Sequence, residues 1–503
     1  MKGKTKIADP YGLCGGMSAG AADFLLSGRA IPHDLTPPSR RTRLHRYLFN
    51  RAIDSFESGK SIMRFAQWML LPDDTAHGIR CLTAQEFDKV RAALDQHRLA
   101  AALGKLPGGL VAQRRAAVAA VPEFEELRDR ATAIRTHTLD NLDTYLEAFE
   151  AKARAMGSHV HWANDAAEAR RIVSAICRAA DVRRIVKGKS MVTEEIGLNA
   201  HLAAEGIDVV ESDLGEYIIQ KRGEAPSHII APAIHLTQED VEADFRAYHT
   251  HLPPGRSLET AESLVAEARG VMRAKFLAVD AGITGANFLV AETGSVVLVT
   301  NEGNATLTTT LPKVHVAISG IEKIVPTLED VATLMRLLPR SATGQSISNY
   351  VDVLTGTRGE GEFHGVDHMY FILVDSGRTG VLASEVREAL RCIRCGACMN
   401  HCPVYQAIGG HSYGWVYPGP IGSILTPMYV GLDKAHELPA ASTSCNQCGV
   451  VCPVKIPLPD LQRKLREQAF ERRLRPWSER AALKAWAWFA RRPGLYAAVS
   501  RVG

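Results

Sequence analysis

The chain has 503 residues, of which 46% are hydrophobic and 23% are charged, an ordinary composition for a globular protein with two or more domains. Its formal net charge of +4 is too small to indicate nucleic-acid binding. No uninterrupted apolar run approaches the roughly 18 residues of a membrane span. We therefore expect a soluble protein with a sizeable core.

The amino-terminal part is expected to be an extension followed by helices. Residues 1–75 show weak hydrophobic periodicity and clustered basic residues, which predicts a partly disordered extension. Within residues 76–157, Thr83 and Glu86 have the spacing of a capping box, in which each side chain bonds a free backbone amide at a helix start. Apolar residues then recur at three- and four-residue steps up to Gly157, so we predict a helical lead-in to a core.

Residues 158–380 alternate short strands with helices, the pattern of an α/β domain with helices on the faces of its sheet. The predicted strands are 159–163, 184–187, 208–211, 228–231, 287–291, 295–300, 313–319 and 370–374. The predicted helices are 166–180, 192–205, 237–249, 258–276 and 328–338.

The segment Lys187-Gly188-Lys189-Ser190 lies between a predicted strand and a predicted helix, where a phosphate loop would lie. A Walker A motif needs a glycine five residues before Gly188, and that position is Arg183, so nucleotide hydrolysis is not supported. Two interpretations remain. Ser190 or Thr193 caps the next helix and the lysines beside it hold an anion, or the segment is a plain N-cap with solvated lysines.

Three polar clusters follow predicted strands, the usual place for ligand sites in open α/β sheets. They are 213–217, 292–294, and 301–304 with the threonines at 308–310. Either turn chemistry explains them or they ring a pocket. His228, His235 and His315 are expected to be ordinary core or surface histidines, since no carboxylate or second histidine lies at metal spacing beside them.

Seven of the ten cysteines lie in one carboxyl-terminal stretch, in two motifs that each end in Cys-Pro. They are Cys392, Cys395, Cys398 and Cys402, then Cys445, Cys448 and Cys452. Two-residue gaps followed by a cysteine before proline are typical of ferredoxin-type iron–sulfur binding. Structural zinc would want four or eight ligands, and disulfides belong to oxidising compartments and small scaffolds. The spacing therefore favours iron–sulfur clusters and electron transfer.

The last cysteine of each ferredoxin motif binds the other cluster. Cluster 1 would then be held by Cys392, Cys395, Cys398 and Cys452, and cluster 2 by Cys402, Cys445 and Cys448. The second set lacks one thiolate, and Ser442 stands where a complete motif would begin. Cluster 2 is therefore either a three-iron centre or a four-iron cluster completed by Ser442, water or a partner's side chain.

The carboxyl-terminal residues 471–503 are predicted to form a basic, aromatic helix over 478–491. From Leu461 to Gly503 there are eleven lysines and arginines against three glutamates, with tryptophans interleaved. Such a helix either lies on an anionic membrane surface, docks on an acidic partner, or caps the fold with its arginines in water.

Five runs of residues carry a resemblance to a known family. They are KSMVTEEIGLN at 189–199, DLGEYIIQ at 213–220, ANFLVAETGS at 286–295, CIRCGAC at 392–398 and WVYPGPIG at 415–422. The chain closely resembles the L-lactate utilisation iron–sulfur protein B family from about Phe87 to about Arg466. Family members begin near residue 83, so residues 1 to about 70 are either a real extension or reflect a start codon assigned upstream of Met63 or Met69.

The resemblance implies an α/β lactate-utilisation domain, related to sugar-phosphate isomerases, at 158–380 and a ferredoxin-like domain at 381–470 with two [4Fe–4S] clusters. It implies the same division of the seven cysteines between the clusters. It also implies an electron carrier in a cytoplasmic three-protein system that oxidises L-lactate to pyruvate. One partner would be rich in cysteine–glycine motifs, and the other would share the α/β domain.

Two alternative functions remain open. The α/β domain is itself a catalyst or a binding module for lactate, pyruvate or another metabolite, with the clusters as accessories. In the other alternative, the clusters feed a membrane quinone reductase at the inner face of the cell membrane through the basic carboxyl-terminal helix.

Overall fold

The structure is a computed structural model that describes residues 93, 97–362 and 365–494. The chain divides into a large unit, Ala84–Leu474, and a second unit to which the described residues 475–494 belong. The predicted extension over residues 1–75 and the predicted capping box of Thr83 and Glu86 lie outside the described residues.

The large unit begins with the predicted helices. They are α1 (His97–Leu103), a short π-helical segment (Pro107–Val111), α2 (Ala112–Ala119), α3 (Phe124–Asp140) and α4 (Leu142–Ala155). Helix α3 buries Phe124, Leu127 and Ala131 on one face, because these apolar residues recur at three- and four-residue steps.

The described strands form two sheets. The strands are β1 (His159–Ala163), β2 (Arg184–Lys187), β3 (Asp208–Glu211), β4 (Ala281–Thr284), β5 (Phe288–Val290), β6 (Ser295–Thr300), β7 (Val314–Gly320), β8 (Ile324–Val325), β9 (Tyr350–Leu354) and β10 (His368–Val374). The first sheet has the order β1-β10-β7-β4-β2-β3 and is parallel throughout. The second has the order β8-β5-β6-β9 and is mixed.

Helices connect the strands of this α/β region. They are α5 (Ala166–Ala179), α6 (Met191–Glu195), α7 (Leu198–Ala204), α8 (Leu214–Arg222), α9 (Gln238–Tyr248), α10 (Ala261–Leu277), α11 (Asn304–Thr310), α12 (Leu328–Ala342) and α13 (Arg378–Leu382). Several begin at a side-chain cap: Ser190, which was one of the two predicted caps of its helix, and Asp213 and Thr237, which were not predicted as caps, each accept a hydrogen bond from a backbone amide three residues on. The α/β fold class expected from the sequence is confirmed.

Two predicted elements are wrong. Residues 228–231 form no strand, because the His228 imidazole accepts hydrogen bonds from the backbone amides of Ile230 and Ala231 and closes a turn instead. The single helix predicted over 192–205 is two helices, α6 and α7, separated at Gly197, whose φ of 63° lies in the left-handed region.

Strand β4 and helix α11 were not predicted, and they pack closely on each other. A Cβ atom at Gly282 would lie 1.9 Å from the carbonyl oxygen of Thr308, so only glycine permits this approach. The sequence of β4, Ala-Gly-Ile-Thr, is too short and small to resemble a strand. Helix α11 is rich in threonine, a weak helix former.

The cysteine-rich region is helical. Its elements are the 3₁₀ helix Arg387–Arg391, α14 (Ala397–Asn400), α15 (Pro403–Ile408), α16 (Gly419–Val430), α17 (Leu432–Ala435), α18 (Gln447–Val451) and α19 (Leu458–Glu471). One hydrophobic core joins this region to the lead-in helices and to α12; Leu127, Leu334, Leu425 and Leu465 all belong to it. The cysteine-rich region therefore does not pack as a separate body.

The second unit contributes α20 (Trp477–Ala490) among the described residues. Trp477 and Trp486 are 76% and 64% exposed, and the Arg492 guanidinium lies 3.9 Å from the centre of the Trp488 ring. Among the described residues, no helix combines the length and the apolar character needed to cross a bilayer.

Candidate functional site

Four cysteines line one cavity, which we call the first cysteine cavity. Cys392 follows the 3₁₀ helix Arg387–Arg391, Cys398 lies in α14, and Cys452 follows α18. With Cys395 they surround a space that is lined otherwise by Arg394 and by mostly apolar residues, including Ile421 and Ile456. Thus Cys452 is brought by the fold to the three cysteines of the earlier motif.

The other three cysteines, Cys402, Cys445 and Cys448, line the second cysteine cavity. Its remaining wall is mixed: Ser442 and Gln462 are among its polar residues, and Pro403, Pro420 and Ala441 are apolar. Cys445 is exposed, whereas Cys402 and Cys448 are buried. The structure thus divides the seven thiols into a group of four and a group of three, and the assignment of each group to a cluster stays a prediction.

The backbone has the same conformation around both motifs. Arg394 and Ser444 have φ of 59° and 56°, and two residues further on Gly396 and Asn446 have φ of 73° and 61°. The amide of Arg394 donates to Cys392 Sγ at 3.4 Å, and the amide of Ser444 donates to Ser442 Oγ at 3.2 Å. Ser442 therefore occupies the position in the second motif that Cys392 occupies in the first.

The thiols of the first cavity fit a metal–sulfur group. Burial raises the pKa of Cys395 to about 12 and that of Cys452 to about 11, so neither thiol ionises by itself near neutral pH. All eight cysteines that the structure describes, the seven here and Cys177, are free of disulfides. Metal binding provides the charge that would hold such buried thiols as thiolates.

Buried cations surround the first cavity. Arg114 donates to the carbonyl oxygen of Val451 at 2.9 Å, and Arg128 donates to that of Cys452 at 2.7 Å. Arg135 donates to that of Leu390 at 3.1 Å, and burial lowers the pKa of Arg135 to about 10. These guanidinium groups both fix the loops that bear the cysteines and place positive charge beside them.

The second cavity has a different electrostatic environment. Burial raises the pKa of Cys402, and it raises that of Cys448 to about 12. The charges that act on these two thiols come from neighbouring cysteines, and no lysine or arginine of the described chain is among the main ones. Its polar neighbours are neutral side chains instead.

A buried ion network ties the first cavity to the α/β region. Arg378 donates to both oxygens of Glu195, at 2.9 and 2.8 Å, and to Glu322 at 2.6 Å. The other oxygen of Glu322 accepts from Arg394 at 3.2 Å, and Tyr417 donates to Glu195 at 2.7 Å. These cations hold the pKa of Glu322 at about 2 despite its burial.

A larger cavity, of about 290 Å³, lies at the carboxyl ends of the parallel strands. We call it the sheet-edge cavity. It brings together Lys189 and Ser190 after β2, Asp213 after β3, and Glu302 after β6. The cysteine-rich region contributes Arg394 and Tyr417 to the same cavity. Two of the three predicted polar clusters, 213–217 and 301–304, therefore do reach a pocket.

The third cluster, 292–294, lies elsewhere and has a structural role. Glu292 accepts a hydrogen bond from the amide of Leu328 at the start of α12. Gly294 approaches the backbone of Ala153 so closely that a Cβ atom would lie 2.4 Å from its nitrogen. The residues of this cluster therefore serve a turn, a helix start and a close backbone contact.

The lysines that follow β2 differ in what they contact. Lys187 is fully buried and bonds Glu194 at 2.9 Å and Glu211 at 2.8 Å, so it does not hold an external anion as one interpretation proposed. Ser190 caps α6 by accepting from the Thr193 amide. Lys189 faces the sheet-edge cavity near Asp213 and Glu302.

The histidines are mostly satisfied within the core, as expected. His228 pairs with Asn400 at 2.9 Å, and His315 pairs with Thr284 at 2.8 Å. His235 differs from the expectation, because the fold brings Glu224 and His411 to it, with ligand atoms within 4.8 Å of one another. His235 already bonds Glu224 at 2.8 Å.

Two residues that line these cavities were not predicted from the sequence. Lys323 is 7% exposed and lines the sheet-edge cavity next to the buried ion network. Gln462 is 1% exposed and lines the second cysteine cavity, and its Oε1 has no hydrogen-bond partner among the described residues. Neither stands in a recognisable motif, so only the fold reveals them.

Comparison with known proteins agrees with this architecture. Residues 146–374 match the LUD domain, and residues 388–456 match the 4Fe-4S dicluster domain, so the cysteine-rich region is an iron–sulfur domain. Lactate utilization protein B of Bacillus licheniformis is 44% identical over 411 residues, which cover 81% of this chain and 85% of that protein. Lactate utilization protein B of Bacillus velezensis is 43% identical over 416 residues, which cover 82% and 87%.

Two further matches differ in name. The uncharacterized electron transport protein YkgF of Escherichia coli is 43% identical over 408 residues, which cover 81% of this chain and 85% of that protein. A crystal structure of a DUF162 family protein from Deinococcus radiodurans covers 46% of this chain and 98% of that chain, with 16% identity and a TM-score of 0.26. Because the Bacillus proteins match across both domains, the chain belongs to the lactate utilization protein B family.

Proposed function

We propose that this protein carries electrons through two iron–sulfur clusters in a multi-protein system that oxidises L-lactate to pyruvate. Four thiols in one cavity and three in a second, within an iron–sulfur domain, are the observation that carries the proposal. Iron–sulfur clusters exchange single electrons, so two of them divide a two-electron oxidation into two steps. The names of the Bacillus relatives supply lactate as the metabolite.

The proposed ligands of cluster 1 are Cys392, Cys395, Cys398 and Cys452. Those of cluster 2 are Cys402, Cys445 and Cys448, with Ser442 Oγ as the fourth donor. Ser442 is chosen because its backbone environment and its hydrogen bond from Ser444 match those of Cys392. Cluster 1 is proposed to be a [4Fe–4S] cluster, and cluster 2 is a [4Fe–4S] cluster with one oxygen ligand.

Iron and acid-labile sulfide analysis of anaerobically purified protein tests the cofactors. We expect about eight irons for each protein molecule, as two [4Fe–4S] clusters require, whereas about seven would indicate a three-iron centre in the second cavity. EPR spectra of the dithionite-reduced protein should show two interacting paramagnetic centres. Colourless protein that contains zinc in place of iron and sulfide would overturn the proposal.

The variant Cys395→Ala tests the role in electron transfer. The two proposed partners are a subunit with cysteine–glycine motifs and a second subunit with the α/β domain. With both present, L-lactate should reduce the wild-type clusters but produce no electron flow through the variant. Cys177→Ala is the matched control, since Cys177 is also a buried free thiol but lies in α5, away from both cavities. Normal flow in Cys395→Ala would contradict the assignment.

A second function is favoured by α20, which exposes Trp477 and Trp486 in a basic segment. We propose that this helix makes peripheral contact with an anionic membrane surface, which would place the protein near a quinone-reducing acceptor. Co-sedimentation with vesicles of anionic lipid tests it. Full-length protein should sediment in low salt, whereas protein lacking residues 477–503 should not. Equal sedimentation of both forms excludes this role for α20.

A further inference from the structure

The sheet-edge cavity has the position and size of a small-molecule site. Its walls come from the loops after β2, β3, β4 and β7, the edge at which parallel α/β sheets bind ligands. Its volume of about 290 Å³ is close to the lower limit of roughly 300 Å³ for small-molecule pockets. Arg394 and Tyr417 of the iron–sulfur domain line the cavity, and the charge of Arg394 acts on Lys323. We call the part of the cavity around Arg394 and Lys323 its cationic end.

Two cations at that end have unused hydrogen-bonding capacity. The Nη1 atom of Arg394 is buried and has no hydrogen-bond partner among the described residues, and Arg394 itself is 9% exposed. Lys323 is 7% exposed, and its Nζ makes no hydrogen bond or ion pair with any residue that the structure describes. Burial lowers the pKa of Lys323 to about 7, so an anion bound beside it would favour its charged form. A buried donor without an acceptor is destabilising, and more so when it is charged, so a ligand that supplies the acceptor would be bound favourably.

The nearby carboxylates leave Lys323 without an ion partner among the described residues. Glu322 pairs with Arg394 through one oxygen and with Arg378 through the other, so both of its oxygens are engaged. Asp213 and Glu302 act on Lys189, and neither is among the main charges that act on Lys323. The end of the cavity next to the first cysteine cavity therefore has room for an anion.

The remaining lining suits a small organic molecule. Ile230, Val299 and Leu338 supply apolar surface. Asn287 uses its Oδ1 to accept from the Val299 amide, and its Nδ2 has no partner among the described side chains and backbone groups. The cavity thus combines a cationic end with apolar surface and a free amide donor.

We propose that the sheet-edge cavity binds a small organic carboxylate, whose two oxygens accept from Lys323 Nζ and Arg394 Nη1. Two donors on neighbouring side chains match the two oxygens of a carboxylate. The site couples the α/β domain to the iron–sulfur domain, because Arg394 lies between Cys392 and Cys395. The carboxylate class rests on the geometry alone, whereas L-lactate and pyruvate as first probes rest on the proposed function.

Calorimetric titration of the anaerobic, cluster-loaded protein tests the proposal, with L-lactate, pyruvate, neutral lactamide and inorganic phosphate as separate probes. We expect at least one of the two acids to bind and lactamide not to bind. Lys323→Met should weaken binding by about tenfold to a hundredfold, the value of one hydrogen bond between charged groups. Lys323→Arg should bind more tightly than Lys323→Met, since it keeps the charge.

Lys221→Met is the matched control, because Lys221 is a partly buried lysine at the end of α8 that does not line the cavity. It should bind the acids like the wild type. The proposal is wrong if neither acid binds, if lactamide or phosphate binds better than both acids, or if Lys323→Met binds like the control.

EPR spectra and iron content of the same samples separate this proposal from the proposed function. Loaded, reducible clusters without acid binding overturn only the cavity proposal. Acid binding to protein that lacks iron and sulfide overturns only the electron-transfer proposal. If Lys323→Met is poorly folded, Asn287→Leu replaces it, and unchanged acid binding in that variant counts against the proposed occupation of the cavity.

Discussion

The two cysteine cavities share one backbone pattern but have different surroundings. In both, a residue with positive φ precedes the second ligand position, and its amide donates to the side chain at the first. The first cavity has four cysteines and a shell of buried arginines, whereas the second has three cysteines, an exposed Cys445 and neutral polar neighbours. The repeated sequence motif therefore gives the same loop conformation twice, while tertiary packing decides which charged side chains lie around each loop.

The difference in charge has a consequence for electron transfer. Adding an electron to a site is easier when fixed positive charge is close to it, and a low local dielectric constant strengthens that attraction. Three arginines of the described chain lie around the first cavity and not around the second; they are Arg114, Arg128 and Arg135. We therefore expect the cluster of the first cavity to have the higher reduction potential, so that electrons collect there.

The largest effect is expected from Arg378→Ala, which breaks the network that holds the first cavity against the α/β domain. It leaves Glu195 and Glu322 buried without their main counter-ion, which costs about 3–5 kcal/mol. Differential scanning fluorimetry should show a lower melting temperature, and iron should be lost from the first cavity. Arg387→Ala removes an exposed pair with Asp140 and should cost at most about 1 kcal/mol. Equal destabilisation by both variants would contradict this role of the network.

The second-largest effect is expected on the rate of iron removal, which should differ between the two cavities. Because Cys445 is exposed, a chelator or oxygen reaches the second cavity first. Iron analysis and EPR during limited treatment with a chelator should show loss of the second signal while the first persists. Simultaneous loss of both signals would mean that exposure of Cys445 does not control access.

Ser442→Cys should remove the difference in the number of cysteines between the two cavities. The variant supplies the fourth thiol at the position that corresponds to Cys392. Mössbauer or EPR spectra should then report two clusters with complete cysteine ligation. Ser444→Cys, at an exposed neighbouring position, is the control and should leave the spectra unchanged. An unchanged second cluster in Ser442→Cys would show that another group completes it.

The smallest effect is expected from Arg114→Met. The attraction between a unit positive charge and an electron added about 10 Å away is about 1.7 kcal/mol at an effective dielectric constant of about 20. This corresponds to a fall of roughly 70 mV in the potential of the first cluster for one electron. Redox titration followed by EPR measures it, and Arg115→Met is the control, since Arg115 is exposed and screened by solvent. A shift in the second cluster instead would reverse the assignment of the arginines.

The sequence alone determined the features that depend on local spacing. Period-two and period-3.6 patterns located most strands and helices of the α/β domain, and the cysteine motifs identified the iron–sulfur region. The helix cap at Ser190 could be predicted from the sequence because a cap acts within three residues. Short, atypical elements such as β4 and α11 were missed, because tertiary packing at Gly282 outweighs their weak propensity.

Only the tertiary structure decided which distant groups meet. The arginines around the first cavity are separated along the chain by more than 250 residues from its cysteines, and no spacing rule connects the two; these arginines are Arg114, Arg128 and Arg135. The same holds for Lys323 and Arg394 at the sheet-edge cavity and for Gln462 at the second cysteine cavity. Electrostatic environment depends on distance in space and on burial, and both are properties of the folded chain.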